Sequence, residues 1–145
     1  MSTKTFDSIF KKVEEASKKE DKIRILRENS SATMKAILGY TYDPYVEWLL
    51  PETDPPFAPL HVNADAEITL QGAQKQFYLF VKGPTETQKN LKQTRREQLF
   101  IQLLESVHPD ETKVLLGMKN RKLPYRGLTR KLVAEAFPNL ASNWF

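Results

Sequence analysis

Four prolines fall within nine residues, at Pro51, Pro55, Pro56 and Pro59, and they constrain the fold more than any other feature of the chain. Proline fixes φ and removes a backbone donor, so this stretch cannot be a regular helix or a central strand. Residues 51–68 are expected to form a surface loop, with a short extended piece near Ile68.

Helical periodicity appears on both sides of that loop. Phe6, Ile9, Phe10 and Val13 make one stripe, with Ser2 or Thr3 as its cap. Asp21 is placed to cap a short second helix carrying Ile23, Leu26 and Arg27. In Asn29-Ser30-Ser31 the Asn closes one helix and a Ser opens the next, which holds Ala32, Met34, Ile37 and Leu38 and ends before Asp43-Pro44. The aromatic stretch from Tyr40 to Trp48 is expected to pack inward. Beyond the loop, Leu70, Ala73, Phe77, Phe80 and Val81 predict a helix over 70–82, stopped by Gly83-Pro84. The strongest signal predicts one long helix from about Gln88 to Val107, with Leu99, Phe100, Leu103, Leu104 and Val107 inward. Pro109 suits a helical first turn, and Asp110-Glu111 favour its positive end; Val114, Leu115 and Met118 form the inner face. After a loop from Asn120 to Leu128, Thr129 caps a last helix with Leu132, Val133, Ala136 and Phe137, which Pro138 stops. With no repeat and no linker between two cores, residues 1–145 read as one compact all-α, multi-helix domain.

Catalysis finds little support. Five glycines form no phosphate-binding loop, and no Lys-x-Asp-Gly nucleophile motif is present. The two histidines, His61 and His108, have no second ligand at metal-binding spacing, and the chain has no cysteine. His108-Pro109-Asp110 reads as a helix-opening turn. The adjacent acids Glu14-Glu15 and Asp110-Glu111 point in different directions on a helix and suit surface or dipole roles. No catalytic residue, metal, cofactor or small-molecule substrate is expected. Met1-Ser2-Thr3-Lys4 leads into a charged amphipathic stretch without a signal-peptide core, and no apolar run approaches the roughly 18 residues of a membrane span. A cytoplasmic location without membrane contact is expected.

Charge is the more informative property. Residues 1–72 carry 9 Lys/Arg against 12 Asp/Glu, and residues 73–145 carry 13 against 6, a lopsided distribution common in nucleic-acid binders. From Lys113 to Lys131 the chain holds Lys113, Lys119, Arg121, Lys122, Arg126, Arg130 and Lys131 with no acid between them. Thr129 opens a helix whose free N–H groups suit a phosphate, and Gly127 would let a backbone approach closely. Lys89, Lys92, Arg95 and Arg96 form a second basic group. A solvated charged face is the plainer interpretation of the same residues. No base-reading motif accompanies them, so shape and backbone contacts would dominate. At the other extreme of polarity, residues 138–145 end in Trp144-Phe145, which either fold back onto the core or dock on a partner.

The stretch from Ile9 to Leu50, with Ile23-Arg24-Ile25-Leu26 and Ala36-Ile37-Leu38-Gly39-Tyr40-Thr41-Tyr42-Asp43-Pro44, resembles the start of the helical DNA-binding domain of ATP-dependent DNA ligases. Glu111 to Leu140 resembles a later part of that domain, through Val114-Leu115-Leu116, Lys122-Leu123, Gly127-Leu128-Thr129 and Ala136-Phe137-Pro138-Asn139-Leu140. The chain is also similar to small proteins of large tailed bacteriophages, in Arg95-Arg96-Glu97-Gln98-Leu99-Phe100 and Leu123-Pro124-Tyr125. The ligase resemblance implies a non-enzymatic grip on the duplex backbone by Lys119, Arg121, Lys122, Arg126, Thr129 and Arg130. The ligases' adenylation and oligonucleotide-binding domains have no counterpart in these 145 residues, so ligation is not expected, and Arg126-Gly127 stands where that family often has Cys-Gly. Double-stranded DNA is the expected partner, in a host cytoplasm if the protein is phage-encoded. The alternative is a module that docks on a replication or transcription protein through Trp144 and Phe145.

Overall fold

The structure is a computed structural model that describes residues 5–60 and 65–145. Its first helix, α1 (Phe6–Glu15), is opened by Thr5, whose hydroxyl accepts from the Ser8 N–H at 3.1 Å. Ser2, Thr3 and His61 lie outside the described residues. α1 buries Phe6, Ile9, Phe10 and Val13 as their spacing predicts, and Asp7 with them. α2 (Lys19–Glu28) starts three residues earlier than expected, with Lys18 and not Asp21 at the cap position. The Lys18 carbonyl already accepts from the amides of Asp21 and Lys22, so Asp21 sits inside the first turn and caps nothing. Ser31 does cap α3 (Ala32–Tyr42), accepting from Met34 N–H at 3.0 Å, and Asp43 closes it before Pro44.

Of the aromatic stretch, Tyr42 is buried and Tyr40 and Trp48 are half-buried, but Tyr45 is 75% exposed. The turn at Pro44 explains the exception: the Tyr45 amide donates to the Asp43 carboxylate at 2.9 Å, an Asx turn that faces the ring outward. The described part of 51–68 is irregular. It is pinned to the following long helix where Ala58 N–H donates to Glu105 and where Glu67 and Ile68 donate to the Ser106 carbonyl.

The helix expected over 70–82 is instead α4 (Leu70–Ala73) running into a 3₁₀ segment, Gln74–Phe80. All five apolar residues of its stripe are buried. The segment is cut short because the backbone at Glu47–Leu49 pairs with it: Leu49 N–H donates to Phe80 O at 2.8 Å and Lys82 N–H to Glu47 O at 2.9 Å. That single bridge holds Val81 extended.

The long helix predicted from Gln88 divides into α5 (Glu86–Asn90) and α6 (Gln93–Ser106). In a continuous helix the Gln88 carbonyl would accept from Lys92. Here the Arg96 guanidinium takes that carbonyl at 2.8 Å and also that of Leu79 at 2.9 Å, so the chain breaks at Leu91-Lys92. His108 caps α7 (Pro109–Lys119) through Nδ1, and Thr129 caps α8 (Arg130–Ala136), accepting from Leu132 N–H. One continuous apolar cluster draws from α1, α2, α3, α4, α6, α7, α8, the 3₁₀ segment and the 120–129 turn. The described residues form no strand, and none of their helices is long and apolar enough to cross a membrane.

Candidate nucleic-acid interface

The basic stretch folds as a turn between α7 and α8. α7 ends in a Schellman arrangement: Lys122 N–H donates to Gly117 O at 2.9 Å and Arg121 N–H to Met118 O at 3.1 Å. Arg121 occupies the left-handed position, with φ of 66°. Gly117 has no room for a side chain, since a Cβ there would lie 3.0 Å from the Lys122 carbonyl. An L-residue in left-handed backbone costs about 1–2 kcal/mol. The Arg121 guanidinium offsets this by donating to the carbonyls of Asp43 and Val46. Its burial, and then the neighbouring charge of Arg130, lower its pKa.

Several residues nominated for nucleic acid therefore serve the fold. Lys119 is buried; its ammonium donates to the carbonyls of Pro51 and Glu52 at 3.1 and 3.2 Å and pairs with Asp54 at 3.1 Å. Arg96 is buried between three carbonyl acceptors, those of Leu79, Gln88 and the Gln93 side chain. Lys113 pairs with Asp7 at 2.9 Å, and Arg130 Nε donates to the Tyr42 carbonyl at 2.7 Å. Arg121, Lys119 and Arg96 thus carry no free charge to the surface. Gly127 has φ of +83°, but the close approach it permits is made by Lys22 of the same chain, 3.1 Å from where a Cβ would stand. Trp144 is folded into the core, 5% exposed, which leaves Phe145 alone exposed and removes Trp144 as a docking anchor.

Arg95, Lys122, Arg126 and Lys131 are exposed and have no ion-pair partner among the described residues. The structure adds two cations that the sequence does not flag. Lys19 and Lys22 of α2 join Gly127, Thr129 and Lys131 around a surface hollow of about 300 Å³, in which Glu135 is the one acid. Lys19 is bound to Glu135 at 2.8 Å, and Lys22 donates to the Val13 carbonyl at 2.7 Å. Lys131 is the wall residue left to meet a ligand. The spacing of Lys19 and Lys22 gave no signal, because both lie in the half of the chain whose charges sum to an acid excess.

A second cluster went unseen for a different reason. Asp7, 2% exposed, accepts from the Tyr125 hydroxyl at 2.7 Å and from Lys113 and Lys11 at 2.9 and 3.3 Å. Burial pushes the Asp7 carboxyl up, but these hydrogen bonds together outweigh it and hold its pKa below the ordinary value. Glu111 is buried nearby, and one of its carboxylate oxygens has no hydrogen-bond partner. No group of three or more His, Asp or Glu among the described residues is placed to hold a metal ion.

No curated protein and no solved structure matches the chain. A family model does match, over residues 9–125, from within α1 to the Tyr125 turn, which leaves Asp7 and the residues from Arg126 onward outside it. The chain belongs to this family of unknown function, DUF6433.

Proposed function

We propose that this protein is a non-enzymatic module that binds duplex nucleic acid through its phosphate backbone, using the turn between α7 and α8. The observation that carries this is the set of exposed cations of the turn and the hollow: Lys122 and Arg126 on the turn that leads to it, and Lys131 in its wall, are not bound by ion pairs of the fold among the described residues. Flexible, exposed Lys and Arg neutralise phosphates and release counterions, and this needs no base-reading device. Of the cations that the resemblance to the ligase helical domain implies, the assignment keeps Lys122 and Arg126, while Lys119, Arg121 and Arg130 bind carbonyls of the fold. The alternative, docking on a replication or transcription protein, keeps only Phe145 of its aromatic pair.

Three committed contacts predict a modest salt dependence, with a log–log slope of about −3. Fluorescence anisotropy of a labelled duplex, titrated at several salt concentrations, measures it. The triple change Lys122→Glu, Arg126→Glu and Lys131→Glu is expected to abolish binding with the fold intact by circular dichroism. Unchanged affinity in the triple variant, or no binding by the wild type at low salt, refutes the proposal.

A further inference from the structure

Asp7 and Glu111 bring two carboxyl groups into one buried junction between α1 and α7, and their partners are shared unequally. Asp7 takes Tyr125, Lys113 and Lys11. Glu111 takes the backbone N–H of Phe6, while its Oε2 is buried without a donor. A buried ionised carboxylate needs its lone pairs satisfied, and two adjacent ones repel. The negative charge therefore belongs on Asp7, where two ammonium groups and a hydroxyl meet it.

We propose that Glu111 and Asp7 form a proton-operated latch, closed while Glu111 is protonated, that holds the first turn of α1 and the Tyr125 turn against α7. It does not rest on the nucleic-acid assignment. The charged and titratable groups around Glu111 are Asp7 and Lys11 from α1, Asp110 and Lys113 from α7, and Tyr125 from the turn. Among the described residues no ion pair or side-chain hydrogen bond joins Glu111 to α3 or α6, which also pack on α7. Burial first, and then the charges of Asp7 and Asp110, push the Glu111 carboxyl up to about 7 from 4.5, against the smaller opposing effect of the Phe6 N–H. The sign follows: a folded pKa above the unfolded one stabilises at low pH, and that contribution is lost as pH rises through about 7. Ionising Glu111 places a second buried negative charge beside Asp7, with Oε2 unpaired, and so loosens the junction that Asp7 ties together through Tyr125 and Lys113.

The test compares the full chain with Glu111→Gln, a neutral isostere of the closed state. The wild type is expected to lose melting temperature between about pH 5 and pH 8, while the Gln variant stays flat over that range. Hydrogen exchange should show the amides of Phe6 to Phe10 opening by up to about tenfold more per pH unit as pH rises toward 7, and levelling off above it, after correction for intrinsic exchange. Identical pH profiles in the two proteins, or protection lost uniformly along the chain, overturn the latch. Should Glu111→Gln fail to fold, carboxyl-carbon NMR of the wild type decides. A midpoint near 7 supports the latch, and one at the ordinary glutamate value of about 4.3 overturns it.

Discussion

Replacing Lys119 by Met separates the two roles that a basic residue can have in this chain. The lysine side chain is 2% exposed, and Met keeps most of its apolar stem while removing the ammonium. The change deletes two well-formed charge-assisted hydrogen bonds, to Pro51 O and Glu52 O, a longer one to Thr53 O at 3.5 Å, and the pair with Asp54. Hydrogen bonds to a charged group contribute about 1.5–3 kcal/mol each when buried. Asp54 is half-exposed and also holds Asn120 at 2.9 Å, so it returns to water at little cost. The removal of a buried ammonium also relieves its own desolvation. The net loss expected is about 2–3 kcal/mol, a fall in Tm of about 6–12 °C for a domain of this size. Because Lys119 fastens the proline loop and shows no charge to solvent, duplex affinity measured well below the melting transition should be unchanged. Urea unfolding and anisotropy on the same preparation test both halves. A Lys119→Met protein with normal stability and lost affinity would refute the assignment of this residue to the fold.

The remaining expectations are briefer. Asp7→Asn removes an acid whose pKa is held down, so it should cost about 2 kcal/mol at neutral pH. A depressed folded pKa gives stability that is complete above the unfolded value of about 3.9 and is lost as pH falls through the folded one. Urea titrations at neutral pH and below about pH 3 should therefore show the gap between variant and wild type closing in acid. The same substitution should lower the Glu111 midpoint, since the charge of Asp7 is one cause of its elevation. Thr129→Ala removes the cap on Leu132 N–H and should cost about 1 kcal/mol by chemical denaturation, with a larger loss than about 2 counting against a purely capping role.

Helices were legible in this sequence wherever burial followed one stripe and the ends were local. Ser31, Thr129 and Pro109 mark helix starts by chemistry confined to a few residues, and each does so in the structure. The division at Leu91-Lys92 was not legible, because its cause is the Arg96 guanidinium reaching carbonyls on other turns. Nor was the 3₁₀ segment, whose end is fixed by backbone pairing with Glu47–Leu49 across the proline loop. Asp110-Glu111 illustrates the limit within a single dipeptide: both suit the helix start, but only Glu111 turns under α1.

The candidate site was legible as a charge excess and misleading as a surface. An acid-free run from Lys113 to Lys131 is not acid-free in space, because Asp7, Glu14, Asp54 and Glu135 arrive from elsewhere to meet it or its neighbours. The basic residues also have a second use that sequence counting cannot see. Each helix leaves its last carbonyls without partners, and here cations from other elements supply them. Lys22 donates to Val13 O at the end of α1, and Arg27 to Glu135 O and Ala136 O at the end of α8. Arg130 and Arg121 donate to Tyr42 O and Asp43 O at the end of α3. Positive charge beside a helix C-terminus is stabilising in its own right. Much of the excess that suggests nucleic acid is thus consumed in joining helices, and only the remainder is available for phosphates. Any affinity for duplex must then be weaker, and its salt slope shallower, than the count of Lys and Arg in residues 73–145 implies.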